Sequence, residues 1–182
     1  EIKNRKIDRP LRILEIGAGG GLVSLLLRRL VAIDSYSIID LDFVVPFGFL
    51  MSAHADPEAT IALPGEDLHG DPMVRYFTPD QAALSDQSMD ICINVTSFQE
   101  MNKKIVAGYF DLMARTLAPG GLFLCVNRSE KNGDNGQDVM RFDDYPWPNS
   151  GFETLLDEED LVTRASRYDF PIRRRLTRTP PA

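Results

Sequence analysis

The feature that most narrows what this chain can fold into lies within its first thirty residues. The stretch 11–16 (LRILEI) is apolar almost throughout and runs directly into Gly17-Ala18-Gly19-Gly20-Gly21. A run of that kind suits a parallel strand covered on both faces better than a strand with one wet side. In the following stretch Leu22, Val23, Leu25, Leu26, Leu27 and Leu30 form a helical apolar face, with Arg28 and Arg29 assigned to the other side. Residues 35–41 (SYSIIDL) then read as a second strand ending at Asp40 and Leu41. Strand, glycine turn, helix and strand make a βαβ unit.

The rest of the chain continues the alternation. Residues 42–55 are mixed, and Pro46 and Gly48 argue against a regular helix there. Residues 56–72 carry five Pro or Gly and read as a loop around a short 60–63 segment. A third strand is expected at 74–77, a short helix around 80–84 and a fourth strand at 89–95 (MDICINV). The rows Ile105, Tyr109, Leu112, Thr116 and Val106, Phe110, Met113, Leu117 mark a helix, stopped by Pro119-Gly120-Gly121 before a fifth strand at 122–126. The segment 128–151, with its Tyr145-Pro146-Trp147-Pro148 cluster, is long and irregular, the kind of connection that serves as a substrate lid. Beyond it the sequence suggests a helix at 157–167 and an exposed edge strand at 172–177 (IRRRLT), whose arginines would guard against aggregation. Together these elements predict an α/β fold, a Rossmann-like open and mostly parallel sheet with helices on both faces, in a single domain over 1–182.

Composition limits the function. Twenty basic against 27 acidic residues give a net charge of -7, the wrong sign for a broad nucleic-acid surface. The apolar runs are far shorter than the roughly 18 residues a membrane span needs, and no leader opens the chain. Cys92 and Cys125 sit inside apolar strands and read as free core thiols, which fits a reducing, cytoplasmic setting. The chain starts at Glu1, about ten residues before its first strand, so a preceding N-terminal segment is expected.

The glycine spacing bears on the cofactor. A dinucleotide fingerprint beginning at Gly17 needs a glycine at position 22, which is Leu22. The pattern is instead Glu15-x-Gly17-x-Gly19-x-Gly21. A carboxylate beside the turn repels a pyrophosphate and favours a ligand bearing an ammonium and a sulfonium, which points to S-adenosyl-L-methionine rather than NAD.

On these residues the chain resembles the class I S-adenosylmethionine-dependent methyltransferases. The resemblance implies that Glu15, Gly17, Ala18, Gly19 and Gly21 hold the methionine part, that Asp40 accepts from the ribose hydroxyls with Leu41 beside it, and that Asp80, in Thr78-Pro79-Asp80-Gln81, lies near the adenine. Asn94, at the end of the fourth strand, is counted with the cofactor residues. Residues 90–128 carry a closer likeness: Asn94-x-x-Ser97-Phe98-Gln99-Glu100-Met101, Tyr109-Phe110 and Asn127-Arg128 look like the sugar O-methyltransferase family. So does Tyr36-Ser37-Ile38-Ile39-Asp40-Leu41, with Asp42-Phe43 departing from the Pro-Glu expected next. The likeness implies a sugar or glycoside as the small-molecule partner.

Ligands in open α/β sheets lie beyond the carboxyl ends of the strands, where Ser97, Gln99, Glu100, Asn127 and Arg128 fall. A sugar hydroxyl is a poor nucleophile at neutral pH, so its methylation benefits from a positioned base. Glu100 leads on position, and His54 and His69, the only histidines, are the other candidates. Tyr145 and Trp147 are candidates for stacking on a sugar face, with core anchoring as the competing role for Trp147. Asp143-Asp144 and the acidic run 157–160 make no specific metal signature. Methylation of another small molecule and non-catalytic binding of the cofactor stay open on these residues, as does the oligomeric state.

Overall fold

The computed structural model of the protein describes residues 9–66, 71–132, 139–148, 151–160, 165 and 170–182. Strand β1 (Leu11–Ile16) is followed by helix α1 (Leu22–Leu30), strand β2 (Ile33–Ile39), helix α2 (Val45–Ala55) and strands β3 (Ile61–Ala62), β4 (Val74–Phe77) and β5 (Met89–Val95). Helix α3 (Lys103–Thr116) leads into the long strand β6 (Leu117–Arg128), a small hairpin of β7 (Glu130–Lys131) and β8 (Met140–Arg141), and strands β9 (Glu153–Glu159) and β10 (Ile172–Arg178). Eight of the strands form one sheet in the order β3-β4-β2-β1-β5-β6-β10-β9. All pairings from β3 to β6 are parallel, while β10 runs antiparallel to both neighbours. The expected open, mostly parallel sheet is present.

Strand alternation divides the core into two layers. Ile13, Tyr36, Ile38, Tyr76 and Ile93 face α1 and α2, which contribute Val23, Leu27, Val45 and Phe49. Leu14, Ile16, Cys92 and Phe123 face α3, which contributes Val106, Phe110 and Met113. Asn102 caps α3, its side chain accepting from Ile105 N at 2.9 Å.

Five local expectations are corrected. Residues 45–55 do form a helix: Pro46 sits in its first turn, where a missing N–H costs nothing, and Gly48 lets α2 approach the Gly19 carbonyl. The expected helix at 80–84 is a run of turns, Gln81 N bonding Thr78 O and Ala83 N bonding Gln81 O; five residues between a proline and Ser85 are too few to nucleate a helix. Residues 157–159 belong to β9, because Asp157, Glu158 and Glu153 each meet an arginine of β10 across the ladder, and the rest of that expected helix falls largely outside the described residues. β10 itself is interior, between β6 and β9, so its arginines are cross-strand partners and not guards of an edge. On α1, Arg28 turns inward to Asp56 at 2.9 Å while Leu22, Leu26 and Leu30 stay exposed.

Candidate active site

Chain order reverses beside β1: the strands after it proceed through β2 to one side and from β5 to the other. Beyond the carboxyl ends of β1, β2 and β5 opens a cavity of about 940 Å³. Its floor is Gly17, Ala18 and Gly19 after β1, with Ile39, Asp40 and Leu41 after β2 and Val95, Thr96 and Ser97 after β5. Such a crevice, where strand order reverses, is the binding position of open α/β sheets.

The glycine loop is shaped by positive φ at Gly17 (70°), Gly19 (56°) and Gly21 (73°). A Cβ on Gly17 would lie 2.2 Å from Ser97 Oγ, so glycine there lets the β1 and β5 ends close together, whereas a Cβ on Gly19 would meet nothing within 4 Å. Asp40 accepts from Gly19 N at 2.7 Å and from Leu41 N at 2.8 Å, which fixes its carboxylate at the cavity edge. Thr96 holds φ 55°, an outlier for a β-branched residue, with its N–H donated to Val126 O at 2.7 Å.

Glu15 lies beneath this loop and not in it. It is buried on the α1–α2 face, accepts from the Tyr36 hydroxyl at 2.7 Å, and is absent from the residues lining the cavity. Burial pushes its carboxyl up to about 7 against the opposing hydrogen bond from Tyr36, and nearby Asp40 adds to the rise. Glu15 thus supports the loop from below through its bond to Tyr36.

Asn94, Gln99 and Asn127 bond to one another and to the strand ends. They form a buried amide strut across the ends of β1, β5 and β6. Asn94 donates to Ile16 O at 2.9 Å and also to Ser97 Oγ, and accepts from Asn127 Nδ2 at 2.7 Å. Asn127 Oδ1 accepts from Gln99 N at 3.3 Å, and Gln99 Oε1 from Arg128 N at 2.7 Å. None of the three lines the cavity. The Arg128 guanidinium stacks 4.5 Å over the Phe170 ring, outside the cavity lining.

Glu100 and Ser97 do line the cavity. Glu100 is half exposed at the rim, accepts from Gln99 Nε2 at 3.1 Å, and pairs with Lys131 on the β7–β8 hairpin. His54 sits exposed in the last turn of α2, about 15 Å of helix below the strand ends and off the cavity lining. Asp80 is exposed and outside the lining, which takes Pro79 and Ala82 instead. His69 lies outside the described residues. Tyr145 and Trp147 are in the core behind α3: Trp147 packs edge-on to Phe110 with centroids 5.2 Å apart, donates Nε1–H to Phe142 O at 2.8 Å, and is covered by Arg175 at 4.2 Å. Among the described residues the aromatics themselves close the layer over β6 and β10 on this side, while Lys131 of the same segment reaches the cavity rim at Glu100.

One cavity wall comes from a helix that the sequence marks without giving it a site role. Ile105, Gly108, Tyr109 and Leu112 of α3, with Met101 and Val44, form an apolar side to the site. Burial first, and then the Asp40 carboxylate, raise the Tyr109 hydroxyl above its ordinary value. The sequence signal was the row Ile105, Tyr109 and Leu112 of α3, beside the row Val106, Phe110 and Met113 that the sheet face takes. Among the described residues lining the cavity, the ionisable ones are Asp40, Glu100 and Tyr109, with no lysine or arginine.

No family model and no curated protein matches the sequence. Solved structures do match the fold. An S-adenosylmethionine-dependent methyltransferase from Mesorhizobium loti superposes with a TM-score of 0.60 at 15% identity, over 92% of this chain and 90% of that one. A Burkholderia thailandensis 1,6-didemethyltoxoflavin-N1-methyltransferase bound to S-adenosylhomocysteine gives 0.65 at 14%, over 96% and 73%. The [4+2]-cyclase SpnF gives 0.68 at 16%, over 99% and 78%. The chain has the Rossmann-like fold of the class I S-adenosylmethionine-dependent methyltransferases.

Proposed function

We propose that the protein binds S-adenosyl-L-methionine in the cavity beyond β1, β2 and β5 and transfers its methyl group to a small molecule, a sugar or glycoside hydroxyl. The observation that carries the reading is the pairing of a glycine floor open to the cavity at Gly19 with the fixed Asp40 carboxylate at its edge. The donor set fits this cofactor: two carboxylates without a lining cation suit a sulfonium and its ribose, and oppose a pyrophosphate. The cofactor, when bound, supplies an electrophilic methyl group on sulfur. Backbone groups of Gly17 to Gly19 hold its amino-acid end, and Asp40 takes both ribose hydroxyls. Ile105, Tyr109 and Leu112 exclude water from one side. Glu100 stands at the rim as proton acceptor for the attacking hydroxyl, with Lys131 paired to it.

Calorimetry with S-adenosylhomocysteine and NAD tests the binding half. Micromolar affinity for S-adenosylhomocysteine is expected, weakened by about 1–3 kcal/mol in Asp40→Ala; NAD binding without S-adenosylhomocysteine binding would overturn it. Turnover needs its own test, since a cyclase shares the fold. Glu100→Gln, assayed on a sugar acceptor found by screening with labelled cofactor, should keep cofactor affinity and lose about 10²–10⁴ in rate.

A further inference from the structure

Strand β5 ends at Val95, and the chain then turns into the short 3-10 turn Phe98–Glu100 that carries Glu100 to the cavity rim. Thr96 makes that turn at φ 55°, with its N–H held by Val126 O of β6 at 2.7 Å. Glycine adopts this left-handed conformation freely and asparagine tolerates it, whereas a branched side chain is crowded there. Among the described residues the other positions of positive φ are glycines and Gln87. The turn therefore accounts for the backbone at position 96 but not for a threonine on it. The protein itself makes no polar use of the side chain either. Thr96 is exposed and lines the cavity, and its hydroxyl has no hydrogen-bond partner among the described residues. The neighbouring hydroxyl differs, since Ser97 Oγ donates to Ile16 O at 3.1 Å and accepts from Asn94. Tyr109, the third hydroxyl of the lining, is raised by burial and then by the Asp40 carboxylate, which puts it toward the β2 side.

We propose that the Thr96 hydroxyl recognises the methyl acceptor, bonding the hydroxyl next to the one whose proton Glu100 accepts, so that the acceptor is a vicinal diol. The assignment rests on the methyl-transfer reading above. Backbone strain of this kind persists only where the surroundings enforce it, and it collects at ligand sites. Position selects the acceptor over the cofactor. Asp40 follows β2 and Thr96 follows β5, with β1 between them, so the two lie about 10 Å apart along the sheet. A cofactor with its ribose at Asp40 and its amino-acid end on Gly17 to Gly19 occupies the β2 and β1 ends, which leaves the β5 end to the second substrate. Thr96 and Glu100 flank a single turn there, closed by Glu100 N bonding Ser97 O at 3.0 Å. In the transfer the acceptor oxygen forms a bond to the methyl carbon as the carbon–sulfur bond breaks, sulfur keeps the electron pair, and the proton passes to Glu100. Thr96 takes no part in that exchange. Its hydroxyl, able both to donate and to accept, holds the neighbouring oxygen.

The probes are methyl hexopyranosides and their monodeoxy derivatives. Each is titrated by NMR into the whole chain saturated with S-adenosylhomocysteine, and assayed with labelled S-adenosylmethionine. Thr96→Val keeps the branched Cβ and removes the hydroxyl. It should melt within about 2 °C of wild type and raise the acceptor Kd and KM about 3–10-fold, while S-adenosylhomocysteine affinity stays within about twofold. One monodeoxy derivative should bind wild type weaker than its parent by the same factor, and should bind Thr96→Val no weaker than its parent does. Thr96→Ser should restore the parent's affinity to within about twofold. Thr96→Asn, free of the branched Cβ, should melt about 2–4 °C higher than wild type. The proposal is overturned by a Thr96→Val that binds every glycoside as wild type does, or that loses parent and deoxy derivatives alike. A Thr96→Asn that melts no higher removes the strain on which it stands, and a Thr96→Val weakened only toward S-adenosylhomocysteine moves the hydroxyl to the cofactor. A wild type that binds S-adenosylhomocysteine but no glycoside overturns the sugar acceptor and this assignment together. Binding of neither sinks the methyl-transfer reading itself.

Discussion

Glu15 offers a test of the packing that requires no ligand. Its carboxyl is 1% exposed and its hydrogen-bond partner is the buried hydroxyl of Tyr36. Burial pushes it up to about 7 in the folded protein, against 4.5 for an ordinary glutamate. Below about pH 4.5 both the folded and the unfolded chain hold the proton, and the site costs nothing. Between 4.5 and 7 the unfolded chain has released it while the folded chain keeps it, so stability falls as pH rises. Above 7 the loss is complete and amounts to at most about 3 kcal/mol. Asp90 and Asp157 act in a separate, lower window. Burial draws each upward, but hydrogen bonds from Arg9 and Arg12 to Asp90, and from Arg175 and Arg173 to Asp157, outweigh it and hold both below the usual range. Their contributions are present above about pH 4 and fade only below it. Glu15→Gln keeps an acceptor for Tyr36 and removes the titration. Urea unfolding from pH 5 to 9 should therefore find the variant within about 1 kcal/mol of wild type at pH 5 and more stable by up to about 3 kcal/mol at pH 8. Parallel curves for the two proteins across that range would refute the buried, desolvated carboxyl.

Gly17→Ala would push a methyl group to 2.2 Å from Ser97 Oγ at φ 70°, so a loss of about 2 kcal/mol or more in thermal unfolding is expected. Gly19→Ala, with nothing within 4 Å, should cost only the backbone strain of about 1 kcal/mol. Trp147→Ala should lower stability by about 3 kcal/mol while S-adenosylhomocysteine affinity stays within twofold, because the ring fills core and not cavity. Cys92 and Cys125, both pushed up to about 12 by burial, should react with a thiol reagent only after denaturant is added; labelling of the native protein within minutes would remove them from the core.

The frame of the molecule was legible because it depends on patterns that a single strand or helix carries alone. The strands at 11–16 and 89–95 fall where the sequence put them, since each is a mostly apolar run; 74–77 also falls there, although the helix at 80–84 that its spacing was to leave room for does not form. The failures occur where a partner decides. Residues 157–160 have an acid-rich pattern that suits a helix start, and 157–159 instead join strand β9 because arginines 173, 174 and 175 lie across from them. Pro46 and Gly48 look like helix breakers until Pro46 is placed in the first turn and Gly48 against the Gly19 carbonyl. α1 looked amphipathic with its arginines outward, but Asp56, about thirty residues away in sequence, draws Arg28 in and turns a leucine row out.

The candidate site divides along the same line. Gly17, Gly19 and Asp40 could be placed because strand ends and a glycine turn fix backbone position, and the cavity floor is mostly backbone. Asn94, Gln99 and Asn127 could not, because an amide at a strand end has the same chemistry whether it binds a ligand hydroxyl or a neighbouring strand. Register settles the matter: Asn94 pairs with Ile16 on one side and Cys125 on the other, which brings its side chain within reach of Asn127. Once the two amides bond each other at 2.7 Å and Asn127 accepts from Gln99 N, their main donor and acceptor groups are spent inside the protein. At this end of the sheet the strut holds in place the backbone of Thr96, the hydroxyl of Ser97, which itself donates to Ile16 O at 3.1 Å, and the carboxylate of Glu100. Opposite them the apolar wall of α3 supplies shape, excluded water and a single hydroxyl on Tyr109.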